Sequence, residues 1–136
     1  MKSATLKYGM STVVTLPYEE AVARTRDALA QEGFGVLSEI DVQATLKKKL
    51  DVDFRPYVIL GACNPPLAYR ALTTEPEIGL LLPCNVIVRQ GDAPGTCVVA
   101  AIDPEVSLGR VDNEALAPVA AEVKARLERV LQSLAT

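Results

Sequence analysis

Residues 57–62 have the sequence YVILGA, a continuous apolar run near the middle of the chain. A short run of this kind is typical of a strand buried inside a sheet. The run ends at Cys63 and Asn64, and Pro65 and Pro66 then favour the first turn of a helix. We therefore predict a buried strand over residues 57–62, followed by a short helix over residues 67–72.

The segment before this strand predicts a strand, a helix, a second strand and a short helix. Residues 11–16 alternate and are rich in β-branched types, which favours a strand. Apolar residues recur at helical spacing over residues 17–32, and Gly33 supplies a stop. Residues 34–40 favour a second strand. Asp41 is then expected to cap a helix whose Val42, Leu46 and Leu50 point inward.

The segment after the central strand predicts a hairpin and a long closing helix. Residues 86–88 and 97–102 have strand composition, and the glycines and proline of residues 91–95 suit a tight connection between them. Residues 116–134 carry an apolar stripe opposed by charged residues, and Pro118 lies near the expected first turn. The two strands are expected to be antiparallel.

This order predicts an α+β fold. Its pattern is β-α-β4-α, an antiparallel sheet with helices packed on one face and short helical insertions between strands. Residues 1–136 are too few for two well-buried cores, so we expect a single domain. Helices on one face leave the other face of an apolar sheet open, and homodimerisation is one way to cover it.

Composition excludes several function classes. The chain contains no histidine, which excludes Ser-His-Asp and Cys-His catalysis and histidine metal sites. A Walker loop, a GxGxxG fingerprint and a CxxC pair are also absent. With a net charge of −3 and one short cationic run, residues 47–49, the chain has no broad basic surface, so we expect no nucleic-acid binding.

Hydropathy indicates that the chain does not cross a membrane. Its longest apolar runs are far shorter than the roughly 20 residues of a spanning helix. Residues 1–6 show no apolar run of signal-peptide length. We therefore expect a cytoplasmic protein.

Cys63 and Cys84 form the first candidate site. If their strands are antiparallel neighbours, both thiols lie at the same end of the sheet, with Asn64 and Asn85 beside them. Two thiols can bind a soft ion such as copper(I) or zinc, or support reversible thiol chemistry, and a nearby helix start favours the thiolate. The alternative is that both cysteines only pack, as buried cysteines often do. Cys97, inside a predicted strand, is interpreted as packing.

Glu39, Asp41 and Lys47, with Lys48 nearby, form the second candidate site. The two carboxylates are two residues apart on or just beyond a strand, so they can face the same way, and the next helix can bring a lysine back. Carboxylate and lysine together suit acid/base chemistry or a polar ligand. The alternative is a helix cap at Asp41 and solvated lysines at a helix end.

Three segments together resemble one known family. These are residues 33–42 followed by Lys47 and Lys48, residues 57–65, and residues 79–86. They resemble the domain of unknown function 302 family over nearly the whole chain. The resemblance implies a β-α-β4-α fold similar to that of the TATA-box-binding protein, with dimers among relatives, and it implies no reaction.

Two function classes follow from these residues. The first is a homodimeric binding or interaction module that holds a small ligand, a soft metal ion or a protein partner near Cys63 and Cys84. The second is a small enzyme that uses a thiol or the carboxylate and lysine cluster. We favour the first, because no arranged nucleophile and base is visible in a chain without histidine. The sequence identifies no cofactor.

Overall fold

Six strands form one antiparallel sheet in the computed structural model, which describes residues 3–135. The order across the sheet is β1-β2-β6-β5-β4-β3. The strands are β1 (Ser3–Thr5), β2 (Gly9–Val14), β3 (Gly35–Asp41), β4 (Tyr57–Cys63), β5 (Cys84–Gln90) and β6 (Cys97–Ile102). The predicted run at residues 57–62 is therefore confirmed as a strand, and it lies inside the sheet between β3 and β5.

Five α-helices accompany the sheet. They are α1 (Tyr18–Gln31), α2 (Val42–Leu50), α3 (Pro65–Thr74), α4 (Pro104–Gly109) and α5 (Ala117–Leu134), and 3-10 helices span Pro76–Leu81 and Glu114–Leu116. If β1 and the short helices are left out, the chain from β2 onward has one strand, one helix, four strands and one helix, which is the predicted order. The α+β prediction is confirmed. Within residues 3–135, no helix is both long enough and apolar enough to cross a bilayer.

The core lies between the sheet and the helices α1 and α5. Inward positions alternate along each strand, so the buried residues Leu60, Val86 and Val99 share one face. Leu29 from α1 and Leu127 from α5 are fully buried against that face. The sheet therefore has a covered face, on which α1 and α5 pack, and an open face, from which these two helices are absent.

Three short elements differ from the prediction. The helix α2 was expected to point Val42, Leu46 and Leu50 inward, but it buries no side chain and Leu50 is 65% exposed. The reason is its position, because α2 packs mainly against the edge strand β3 and its neighbour β4. Strand β1 and helix α4 were not predicted, because segments of three and six residues are too short to show a period.

Candidate functional site

A cavity of about 280 Å³ lies at one end of the sheet. Its floor comes from the end of β4 and the start of β5, including Ala62 and Cys84. Helix α3 contributes Leu67 and Ala71, and α5 contributes Val119. The 3-10 helix after α3 and helix α4 complete the wall. The cavity is therefore a half-open pocket formed by elements from both halves of the chain.

Cys63 and Cys84 both line this cavity. Strands β4 and β5 are antiparallel neighbours, and Ala62 pairs directly with Cys84 in their register. The sequence-based expectation that both thiols lie at the same end of the sheet is thus confirmed. Both cysteines are free and half-buried.

Burial and, to a smaller extent, the charge of Cys63 raise the pKa of the Cys84 thiol to about 11. A thiol with this pKa is protonated at neutral pH and is a poor nucleophile. The cavity therefore presents Cys84 as an uncharged, polarisable group.

We predict that the high pKa of Cys84 is visible in its alkylation. At pH 8 the thiolate fraction of Cys84 is about a hundredfold below that of an ordinary thiol. The thiolate of a thiol with a higher pKa is the stronger nucleophile, which offsets part of this difference. We therefore expect Cys84 to react with iodoacetamide roughly tenfold more slowly in the folded protein than in urea-unfolded protein. Peptide mass spectrometry measures each cysteine separately. The folded-state rate should rise with pH to about 11, whereas a plateau near pH 9 would contradict the assignment.

The same shift has a consequence for stability. The folded pKa exceeds the unfolded one, so the folded state holds the Cys84 proton more tightly. Its contribution to stability is fully present below about pH 9 and is lost as the pH rises toward about 11.

Asn64 joins two helix ends beside the cavity, the start of α3 and the end of α1. Its Oδ1 accepts a hydrogen bond from the Leu67 backbone N–H at 3.3 Å and so caps α3. Its Nδ2 donates to the Glu32 carbonyl at 3.4 Å, and Arg126 of α5 donates to the same carbonyl at 3.0 Å. Asn64 is 8% exposed. Its polar atoms therefore serve the protein itself.

Asn85, the fourth residue predicted here, lies away from the cavity. It pairs with Gly61 in the register of β4 and β5 and is exposed. It follows Cys84 on the strand, so its side chain faces the opposite side of the sheet.

An ion pair fixes the wall that α4 provides. Asp103 caps α4 by accepting from the Glu105 backbone N–H at 2.9 Å. Lys124 of α5 lies 2.9 Å from Asp103 Oδ2 and 3.1 Å from Glu105 Oε1. Hydrogen bonds to these carboxylates raise the pKa of Lys124, the Asp103 bond most strongly. Helix α4 is thereby held against α5.

The carboxylate and lysine residues occupy separate contacts. Glu39 pairs with Arg26 of α1, and Asp41 Oδ1 accepts from the Ala44 backbone N–H at 2.9 Å as the cap of α2. Lys47 lies 3.0 Å from Asp51 and 3.4 Å from Asp53. Among the described residues, the structure does not pair Lys47 with Glu39 or Asp41.

The remaining cysteine, Cys97, is packed in the core. It is 1% exposed, and its thiol donates to the Leu16 carbonyl at 3.4 Å. Burial raises the pKa of this thiol. Its position agrees with the interpretation of Cys97 as a packing residue.

Metal coordination at the cavity is limited to two thiols. Within residues 3–135, no group of three or more Cys, Asp and Glu side chains is placed to hold a metal ion. Zinc sites use four ligands, or three with a water, so Cys63 and Cys84 do not complete one. A two-thiolate site for a soft ion such as copper(I) requires both thiols to be deprotonated, which the raised pKa of Cys84 opposes.

Several cavity residues were not predicted from the sequence. Leu82 and Pro83 line the cavity and belong to the apolar stretch that ends at Cys84. The structure forms a 3-10 helix over Pro76–Leu81, just before them. The sequence shows the apolar stretch and predicts the short helix after Asn64. Neither pattern indicates that these two segments close over the same end of the sheet.

Comparisons with known proteins give a consistent answer about the family. The family model described as "Domain of unknown function DUF302" matches residues 10–134. A crystal structure of an uncharacterized conserved DUF302 protein from Bacillus stearothermophilus is 33% identical, with a TM-score of 0.87. The similarity covers 95% of this chain and 99% of that chain. No curated protein sequence matches. Because the family model spans nearly the whole chain, this protein belongs to the DUF302 family.

Proposed function

We propose that this protein is a homodimeric binding module that holds a small ligand in the cavity at the Cys63 and Cys84 end of the sheet. The observation that carries the proposal is the cavity itself, about 280 Å³ in a chain of 136 residues. The space is a half-open pocket whose lining is almost entirely apolar. A concave, mainly apolar pocket of this kind is typical of small-molecule sites.

The walls of the cavity are stabilised independently of any ligand. Asn64 and Arg126 tie α3 and α5 to the end of α1, and the Asp103–Lys124 pair ties α4 to α5. Sites formed by rigid elements lose less conformational entropy on binding than sites formed by mobile loops. This arrangement supports a preformed site.

Native mass spectrometry of freshly purified, reduced protein tests both parts of the proposal. A dimer mass with an added small molecule is the expected result. A monomer without any retained or added species, even after incubation with a library of small organic compounds, would refute it.

A row of apolar side chains on the open face of the sheet supports the dimer. Ile40, Ile59, Ile87 and Ala100 are direct cross-strand neighbours on four adjacent strands. Ile40 is 49% exposed, at the edge of the sheet. A twofold axis places the same patch on both subunits, so an apolar row meets an identical row.

We predict that Ile40→Glu weakens the dimer by at least about tenfold in Kd, because a buried carboxylate in an apolar interface has no partner. Sedimentation equilibrium measures the dissociation constant. Leu80→Glu is the matched control, since Leu80 is 87% exposed in the 3-10 helix, away from the strand row. Equal effects of the two substitutions would remove the open face as the interface.

An enzyme that uses a thiol, or carboxylate and lysine chemistry, is the alternative function. The raised pKa of Cys84 disfavours a thiolate nucleophile at neutral pH, and Glu39, Asp41 and Lys47 make separate structural contacts. These observations make the binding module the better supported choice.

The proposal includes a cytoplasmic location. All three cysteines of the chain are free thiols, which suits a reducing compartment.

A further inference from the structure

We infer that the ligand of this cavity is an uncharged, mainly hydrocarbon molecule of about ten non-hydrogen atoms, such as an aromatic bicycle or a short alkyl chain. The inference rests on the proposed function, since it requires that the cavity hold a ligand. It follows from the chemistry of the walls and from the size of the space.

The walls offer nothing to a charged group. The lining includes Phe34, Leu67, Ala71, Leu82, Val119 and Val123, and it contains no Asp, Glu, Lys or Arg. Asn64 is the sole amide side chain of the lining, and both ends of its amide already bond to the backbone. A charge moved into this pocket from water would lose part of its hydration without gaining a partner, which weakens binding.

The two thiols extend the neutral surface. Cys84 is protonated at neutral pH because of its burial. A thiol is a weak hydrogen-bond donor and behaves as a small apolar group. Cys63 and Cys84 are thus suited to contact a soft, polarisable ligand surface.

The volume sets the size of the ligand. A dry apolar cavity of about 150 Å³ holds one benzene molecule. A space of about 280 Å³ is close to twice that, so it suits about ten carbon atoms. A helix of a protein partner is about 10 Å or more in diameter and does not fit inside this volume. The size of the pocket therefore favours a small molecule.

Three probes that share one ring system test the charge preference. They are 2-naphthalenemethanol, 2-naphthoate and 2-naphthylmethylammonium, which are neutral, negative and positive at pH 7. Isothermal titration calorimetry with the reduced, full-length protein measures each affinity. We expect one neutral molecule per chain, with both ions at least about tenfold weaker because neither charge finds a partner.

Ala68 is a half-buried residue of α3 that lines the cavity, and Ala68→Phe is expected to weaken binding of the neutral probe. The control is Ala23→Phe, at an exposed position of α1, which is expected to leave this binding unchanged. Circular dichroism confirms that both variants fold. Three probes of equal affinity, each weakened by Ala68→Phe, would overturn the neutral-ligand inference and leave the cavity as a site. If Ala68→Phe leaves the affinity for the neutral probe unchanged, the probe binds outside the cavity and the inference is overturned. If no probe binds while native mass spectrometry still finds a retained species, the inference fails but the proposed function stands.

Discussion

Replacing Ala71 by phenylalanine is expected to weaken binding of a neutral hydrocarbon ligand about a hundredfold, as measured by calorimetry. Ala71 is 2% exposed and lines the cavity from α3. A ring at this position would occupy much of the space. A ligand that loses about 100 Å² of apolar contact loses about 2.5 kcal/mol of binding free energy, which corresponds to roughly that change in Kd.

The matched control for this variant is Ala23→Phe. Both positions are helical alanines, but Ala23 is exposed on α1 and the substitution leaves the cavity unchanged. Thermal unfolding of Ala71→Phe without ligand shows whether the ring is tolerated. If the folded variant binds the ligand as the unmodified protein does, the cavity is not the site.

Replacing Leu127 by alanine is expected to lower the free energy of unfolding by about 3 kcal/mol. Leu127 is fully buried on α5, between that helix and the covered face of the sheet. Its truncation removes apolar contacts and leaves a void that the strands cannot close. Urea denaturation at fixed protein concentration measures the change.

Leu80→Ala removes the same atoms from an exposed site and serves as the control. Leu80 is 87% exposed, so its loss should change the free energy of unfolding by less than about 0.5 kcal/mol. Similar losses for the two variants would contradict the position of α5 as the cover of the core.

Much of the fold was predictable from local patterns. The apolar run at residues 57–62, the helical periodicity before Gly33 and the long closing stripe each specify one element, and all three are present. The α2 prediction was wrong for Leu50 because periodicity identifies an apolar side of a helix but not whether the sheet extends far enough to cover it. Leu50, the last residue of α2, stays exposed.

The candidate site was predictable only in part. The antiparallel order of β4 and β5 was enough to place Cys63 and Cys84 at the same end of the sheet. The cavity between them was not predictable, because it depends on how α3, α4 and α5 close over that end. The contacts that fix this closure, Asn64 with Glu32 and Lys124 with Asp103, join residues far apart in the sequence.

The most direct test of a ligand site at the Cys63 and Cys84 end is a ¹⁵N–¹H correlation spectrum recorded during titration with 2-naphthalenemethanol. The predicted result is a set of saturable shifts concentrated at the amides of Cys63, Leu67, Ala71 and Cys84, with little change on β1 and β2. Saturable shifts confined to the open face of the sheet would contradict it.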